Sequence, residues 1–238
     1  YKSLPTSVKV GSTILIADGT LVTEVVELKA ESVMVRVLCN CKIGEKKNMN
    51  LPGVVVVQAD VHQASELQQL LQGCDAVVNL VGAFAGDLDA VQGRGAGTLA
   101  RLAREAGAAA FVHVSAIGAD AEGATAYARS KAAGEAAVLA AFPKATILRP
   151  SVLFGPDDKF INLFAGLIAA APVMPVFGPD APFQPLFVDD AALAVVAALA
   201  DAKAHVGKTY ELGGPEVLTM LEIKGHLLRR SDGRHERA

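Results

Sequence analysis

The sequence predicts an α/β protein in which a parallel sheet flanked by helices follows a small antiparallel β segment. Two observations predict this fold class. Over residues 55–223, short apolar runs of strand length alternate with longer Ala- and Leu-rich runs of helix length, as in βαβ units. Residues 1–54 instead contain short runs rich in Val, Ile and Thr, which favour antiparallel strands. With a basic tail at 224–238, the sequence predicts three segments.

Composition limits the function classes that fit the chain. The 238 residues are 52% hydrophobic and 20% charged, which predicts a packed core and argues against disorder. A formal net charge of −3 gives no support for a nucleic-acid role. The three cysteines, Cys39, Cys41 and Cys74, are too few for a disulfide framework, and no metal site is predicted from them. The longest apolar stretch, 161–178, is interrupted by prolines, so no membrane span is predicted.

Three strands are predicted in the first segment, at 12–17, 21–28 and 33–38. The dipeptide Asp18-Gly19 favours a tight turn between the first two. A polar and basic loop, 42–50, follows the third strand.

In the second segment, strands and helices are predicted to alternate. The strands are predicted at 54–57, 76–81, 111–114 and 145–148, with short extended stretches at 185–188 and 209–212. The helices are predicted at 65–72, 89–106, 124–141, 160–170 and 189–200. Gly73 and Gly107 are predicted to end two of these helices. Asp189-Asp190 is predicted to include a helix N-cap, and the end of the chain from Leu227 is expected to fray.

Candidate chemistry lies at the carboxyl ends of these strands, where α/β sheets bind ligands. Tyr127 and Lys131 are four residues apart and share one helix face, and Ser115 follows a strand. An ammonium group near a phenol favours the phenolate, so we expect Lys131 to lower the pKa of Tyr127. Ser115 could then hydrogen-bond a substrate oxygen. The alternative is an ordinary exposed pair on a helix. His113, on a strand, is expected to be a core residue rather than a metal ligand.

Several motifs in the same order resemble the short-chain dehydrogenase/reductase superfamily. They are Val114-Ser-Ala-Ile-Gly-Ala-Asp120, Tyr127-Ala-Arg-Ser-Lys131 and Leu148-Arg-Pro-Ser-Val-Leu-Phe-Gly-Pro156. The resemblance spans roughly residues 54–223, and its nearest branch is the atypical group that contains the nucleotide-binding accessory subunit of respiratory complex I. It implies a Rossmann-type domain.

The resemblance implies NAD or NADP as the cofactor, and NADPH on the complex I branch. It places Asp60 and Val61 beside the adenine, and Val81 and Gly82 under the adenine ribose. The nicotinamide end would be held by residues of two later stretches: Tyr127, Lys131, Pro150, Ser151 and Val152.

Members of this superfamily differ in what they do with the nucleotide. In redox-active members the residues matching Ser115, Tyr127 and Lys131 are catalytic. Accessory members of the complex I branch hold the nucleotide structurally. The resemblance therefore implies the dinucleotide and complex I subunits as partners. It implies a soluble or peripheral place on the matrix side of the mitochondrial inner membrane, or in the bacterial cytoplasm.

The sequence departs from this superfamily before residue 54. The family begins with a strand, a glycine-rich turn and a helix whose N–H groups hold the pyrophosphate. That unit is missing here, so we expect an incomplete Rossmann-type sheet and weak or absent cofactor binding. Gly93-Arg-Gly95-Ala-Gly97 does not fit the phosphate-binding pattern, because no strand precedes it.

Residues 1–54 resemble a different family, pyruvate kinase. The resemblance is carried by Ile14-Leu-Ile-Ala-Asp-Gly-Thr-Leu21 and by Lys46-Lys-Asn-Met-Asn-Leu-Pro-Gly53. It implies a nucleotide-phosphate contact for Lys46 or Lys47, with a solvated basic loop as the alternative. The catalytic and metal-binding residues of that family lie outside the matching part, so no pyruvate kinase activity is expected.

Three functions are therefore open from the sequence. They are a nucleotide-holding accessory subunit, an active NAD(P)-dependent oxidoreductase or epimerase, and a phosphotransferase remnant. A chimeric or fused origin, with its junction near residues 51–57, explains the two resemblances.

Overall fold

The computed structural model describes residues 4–16, 21–30, 32–38, 49–50, 57–156, 158, 160–170, 176 and 178–235. Several predicted features lie outside these residues: the Asp18-Gly19 turn, Cys39 and Cys41, Lys46 and Lys47, and most of the predicted strand 54–57. The chain forms two compact units, Tyr1–Gln58 and Ala59–Ala238.

The first unit contains an antiparallel sheet, as the sequence predicts. A short helix α1 (Leu4–Ser7) precedes strands β1 (Thr13–Ile16), β2 (Leu21–Leu28), β3 (Val33–Val37) and β4 (Met49–Asn50). The strand order is β3-β2-β1-β4, and every neighbouring pair is antiparallel. Val8, Ile14 and Val25 form its buried core. The buried Thr23 hydroxyl donates to the Ile14 carbonyl at 2.8 Å, so this polar group is satisfied inside the core.

The second unit is built on a parallel sheet, which confirms the predicted fold class. Its strands are β5 (Ala76–Asn79), β6 (Ala110–Val114), β7 (Thr146–Pro150) and β11 (Thr209–Leu212), in the order β11-β7-β6-β5. Two short pairs lie beyond it. Strand β8 (Leu153–Phe154) pairs parallel with β10 (Leu186–Phe187), and β9 (Pro182–Phe183) pairs antiparallel with β12 (Leu218–Thr219).

The helices of the second unit follow the predicted alternation. They are α2 (Ala64–Leu70), α3 (Gly95–Glu105), α4 (Ala126–Ala141), α5 (Ile161–Ala170), α6 (Val188–Ala200) and α7 (Met220–His235). A π-helical turn, Asp89–Arg94, leads directly into α3. Gly107 has a φ of 86°, and this left-handed residue follows the end of α3, as predicted. Among the described helices, none is long and apolar enough to cross a membrane.

Both faces of the parallel sheet are covered, and successive residues explain why its strands are continuously apolar. Phe111 and Ile147 point into the core shared with α2, α3 and α4. Their neighbours Val112 and Leu148 belong to a second core, which includes Ala198 of α6. Because side chains alternate along a strand, a strand with helices on both sides needs apolar residues at every position.

Glycines set the close approach of α4 to the preceding helical segment. A Cβ on Gly134 would lie 2.0 Å from the Gln92 carbonyl oxygen, and a Cβ on Gly97 would lie 2.8 Å from the Ala137 Cβ. The Gly93–Gly97 stretch is helical. At Gly97 the missing side chain leaves room for α4.

Two local predictions are wrong. Helix α6 begins at Val188 with Phe187 at the N-cap position, so Asp189 and Asp190 lie in the first turn, where the helix dipole favours negative charge. The end of the chain does not fray at Leu227, because α7 continues to His235.

Candidate functional site

The carboxyl ends of the sheet strands surround a cavity of about 540 Å³, called here the strand-end cavity. The loop after β5, the loop after β6, the start of α4 and the segment after β7 all contribute to its lining. Seven of the residues predicted to bind or act on a dinucleotide line it: Gly82, Ser115, Tyr127, Lys131, Pro150, Ser151 and Val152. The topology thus brings together residues far apart in the sequence.

Three other predicted site residues do not line this cavity. Asp60 is exposed, and its carboxylate accepts a hydrogen bond from the His62 N–H at 2.9 Å. Val61 packs beside α3, since a Cβ on Gly95 would lie 3.0 Å from its methyl carbon. Val81 donates its N–H to the Asn79 side chain at 3.0 Å, which fixes the chain just after β5.

Ser115 presents an unsatisfied hydroxyl at the cavity. The residue is 4% exposed, and its Oγ has no hydrogen-bond partner among the described residues. A buried hydroxyl without a partner costs free energy, which a polar ligand atom in the cavity would recover. A dinucleotide offers such polar atoms in its ribose hydroxyls and its carboxamide.

Tyr127 and Lys131 both lie on α4, as predicted. Thr125 caps the helix by accepting the Ala128 N–H at 3.1 Å. Lys131 Nζ lies over the Tyr127 ring, 5.8 Å from its centroid. Phe84 stacks on the same ring with centroids 5.2 Å apart and planes 10° apart, although Phe84 itself is 89% exposed.

The expected lowering of the Tyr127 pKa is wrong for this structure. Burial raises the pKa of Tyr127, because it disfavours the charged phenolate. Burial also lowers the pKa of Lys131, while the nearby Glu135 carboxylate opposes that shift. Both burial effects favour the neutral forms of the two side chains.

His113 is a core residue, as expected. It is fully buried, and its Nδ1 is 3.0 Å from the Asn79 amide nitrogen. The Asn79 amide oxygen already accepts the Val81 N–H, so its nitrogen donates to His113 and the ring proton sits on Nε2. Burial, followed by the charge of Lys131, lowers the pKa of His113 to about 4, and Glu135 opposes this shift. The ring is neutral near pH 7.

An ion-pair network connects the end of β7 to α4. Arg149 binds Glu135 through Nε at 2.9 Å and Nη2 at 2.7 Å, and its Nη1 lies 3.4 Å from Glu211 of β11. Glu135 is buried and one helical turn beyond Lys131. The network therefore fixes the residues just before Pro150 relative to the helix that carries Tyr127.

Sequence reasoning missed Gln92, which is completely buried in the π-helical turn. Its amide oxygen accepts the Ala83 N–H at 3.1 Å, and its amide nitrogen donates to Ser130 Oγ at 2.7 Å. The available signal was an uncharged polar residue placed directly between Val91 and Gly93. No group of three or more side chains that could hold a metal ion occurs in the part of the chain that the structure describes.

Comparison with known proteins identifies the family of the chain. Residues 17–162 match the sequence profile of the NAD(P)H-binding family, which is more than half of the chain. The chain belongs to this NAD(P)H-binding family.

Two curated relatives match different parts of the sequence. The mitochondrial NADH dehydrogenase (ubiquinone) 1 alpha subcomplex subunit 9 of Arabidopsis thaliana is 35% identical over 182 residues, which are 73% of this chain and 45% of that protein. The pyruvate kinase of Eimeria tenella is 62% identical over 56 residues, which are 24% of this chain and 10% of that enzyme. The chain spans about half the length of the subunit 9 proteins that it matches.

A solved structure shows the same fold. The dTDP-glucose 4,6-dehydratase DesIV of Streptomyces venezuelae, determined with NAD bound, has a TM-score of 0.65 and 23% identity. The match covers 73% of this chain and 62% of that chain.

Proposed function

We propose that the second unit holds an NAD(P) dinucleotide as a nucleotide-holding accessory subunit, with the nicotinamide end in the strand-end cavity. One observation carries this proposal: seven predicted site residues line one cavity, among them Ser115 with its unsatisfied hydroxyl. A role in holding rather than turning over the nucleotide is supported by the ring contacts of Tyr127. Phe84 covers one face, and Lys131 lies over the ring.

The residues of the cavity have distinct expected tasks. The Ser115 hydroxyl would hydrogen-bond the carboxamide or a ribose oxygen, and Lys131 would donate to the nicotinamide ribose. Pro150 and Val152 would pack on the nicotinamide ring, since aromatic rings are bound largely by apolar contact. When bound, the dinucleotide would supply a hydride donor or acceptor.

Calorimetric titration with NADH and with NADPH tests this proposal. We expect saturable binding to the wild-type chain, with the stronger ligand identifying the preferred form. Gly82→Leu should weaken binding by at least ~tenfold, because even a Cβ there would approach Lys131 Nζ at 3.3 Å. Gly166→Leu is the matched control, since a Cβ on Gly166 of α5 meets nothing within 4 Å. No binding by the folded wild-type chain would overturn the proposal.

We also propose that region 55–223 lacks the first strand, turn and helix of its relatives, so that binding is weak. This is supported by β5, which ends the described parallel sheet where a further strand could pair. The test is to add a purified first βαβ fragment of a complex I relative and to repeat the titration. We expect tighter nucleotide binding, and an unchanged affinity would contradict the incomplete-sheet proposal.

For partners, we propose other subunits of respiratory complex I, on the matrix side of the mitochondrial inner membrane or in the bacterial cytoplasm. The similarity to subunit 9 supports this. The tagged chain should comigrate with complex I on a native gel, and migration only as the free chain would contradict it. Pyruvate kinase activity is not expected, since the matching segment corresponds to 10% of that enzyme.

A second candidate is an active oxidoreductase or epimerase. It is favoured by the presence of Ser115, Tyr127 and Lys131 in one cavity. Tyr127 would exchange a proton with a substrate oxygen, Ser115 would hydrogen-bond that oxygen, and Lys131 would stabilise the phenolate. Turnover of NADH with a carbonyl substrate that is lost in Tyr127→Phe and kept in Tyr210→Phe would favour this candidate. Tyr210 lies outside the cavity and bonds His205 at 2.8 Å.

A further inference from the structure

Gln92 uses both ends of its buried amide to join two parts of the strand-end cavity. Its oxygen accepts the Ala83 N–H, and its nitrogen donates to Ser130 Oγ. Ser130 in turn donates to the Tyr127 carbonyl at 3.0 Å. The donors all point in one direction, from the loop after β5 through Gln92 to the first turn of α4. An amide suits this position because it offers one acceptor and one donor at opposite corners.

The backbone of Gln92 is fixed against the same helix. Gly134 leaves no room for a side chain, since a Cβ there would overlap the Gln92 carbonyl oxygen. The π-helical turn therefore cannot move away from or toward α4 without losing this close packing. The Gln92 side chain is therefore held in one position between the loop and α4.

The loop that Gln92 holds is also fixed from its other side. Asn79 accepts the Val81 N–H, so the residues on both sides of Gly82 are bonded to buried amides. Gly82 in turn faces Lys131, since a Cβ on Gly82 would lie 3.3 Å from Nζ and 3.5 Å from Gln92 Oε1. Gln92 is thus bonded both to this loop and to the helix that carries Tyr127 and Lys131.

We propose that Gln92 is a positioning residue that sets the spacing between the Gly82 loop and α4, and with it the width of the cavity that receives a dinucleotide. The ligand in this inference rests on the proposed function, whereas the role of Gln92 in spacing the loop from α4 does not. Gln92 acts through Ala83 and Ser130 and touches no reacting atom.

Hydrogen exchange of the Ala83 amide tests the positioning role of Gln92 without any ligand. In Gln92→Met, which keeps the side-chain volume but removes both hydrogen bonds, the Ala83 amide should exchange at least ~tenfold faster while β6 amides stay protected. Ser130→Ala, a smaller change on α4, should speed Ala83 exchange to a lesser degree. Gln69→Leu, on the exposed side of α2, is the matched control and should leave it unchanged. Unchanged Ala83 exchange in folded Gln92→Met would overturn the inference. If Gln92→Met does not fold, unchanged Ala83 exchange in Ser130→Ala would overturn it instead.

Nucleotide titration of the same variants separates the two proposals. We expect Gln92→Met to bind NADH or NADPH about tenfold more weakly than the wild type, and Gln69→Leu to bind equally well. If the wild type binds neither nucleotide while the Ala83 amide exchanges faster in Gln92→Met, the proposed function fails and the positioning role of Gln92 is supported. If Gln92→Met binds as tightly as the wild type, the positioning role fails and the proposed function stands.

Discussion

Arg149 and Glu135 form two parallel nitrogen–oxygen contacts, of 2.9 and 2.7 Å, that bind the end of β7 to the middle of α4. The Glu135 side chain is 9% exposed and that of Arg149 is 26% exposed, so water screens this pair only weakly. Planar, two-pronged pairs of this kind are among the stronger polar contacts in proteins.

Removing one partner of this pair should destabilise the fold. We expect Glu135→Ala to lower the free energy of unfolding by about 2 kcal/mol, because the half-buried Arg149 side chain would lose its main charged partner. Urea denaturation measures the change. Arg101→Ala breaks a half-exposed pair with Glu105 on α3 and should cost less than about 0.5 kcal/mol. Equal costs for the two variants would contradict a special role for Arg149 and Glu135.

Stability should fall as the pH is lowered, because of His113. Its pKa in the folded chain is about 4, below the ordinary value of 6.5, so the unfolded chain takes up the proton first. The free energy of unfolding should therefore fall by about 3 kcal/mol between pH 6.5 and 4 and level off below that. Urea denaturation from pH 7 to 4 measures this slope. In His113→Gln the slope should shrink, and an unchanged slope would exclude His113 as its source.

The phenol of Tyr127 should ionise later than that of a free tyrosine. Burial raises its pKa, so the midpoint of the phenolate absorbance change of Tyr127 should lie above pH 10. Subtracting the alkaline titration of Tyr127→Phe from that of the wild type isolates this group. Phe84→Ala uncovers one face of the ring and should move the transition back toward pH 10. A Tyr127 transition below pH 10 in the wild type would instead favour an activated phenol.

Two glycines on different helices should respond to alanine in opposite ways. Gly134→Ala should destabilise the fold by about 2 kcal/mol or more, because the new Cβ would overlap the Gln92 carbonyl oxygen. Gly166→Ala should stabilise it by up to about 1 kcal/mol, since alanine favours helix and nothing lies within 4 Å. Thermal or urea denaturation of the two variants measures both signs. A neutral Gly134→Ala would show that α4 can shift away from the π-helical turn.

The alternation of strands and helices could be predicted because it depends on short-range patterns. The apolar run ending at Val114 and the stop at Gly107 are both local signals, and the structure confirms the elements they predict. The π-helical turn was not predicted, because a segment of six residues is too short to show a distinct period. The N-cap predicted at Asp189-Asp190 was misplaced for another reason, because carboxylates are favoured both at a cap and in the first turn.

The candidate site could be predicted in part. The strand-end rule led to Ser115, and helical spacing led to Tyr127 and Lys131. Gln92 could not be predicted, because its partners Ala83 and Ser130 are 9 and 38 residues away in the sequence. The pKa direction of Tyr127 depends on how deeply the ring is buried, which sequence spacing does not specify.

The stacked pair of Phe84 and Tyr127 gives the cavity an optical reporter of its own. The chain has three tyrosines and no tryptophan, so tyrosine emission is not masked by energy transfer to an indole. Of the two tyrosines in the second unit, only Tyr127 lines the cavity. A molecule that enters the cavity would change the surroundings of this fluorophore, so occupancy could be followed in the unlabelled protein.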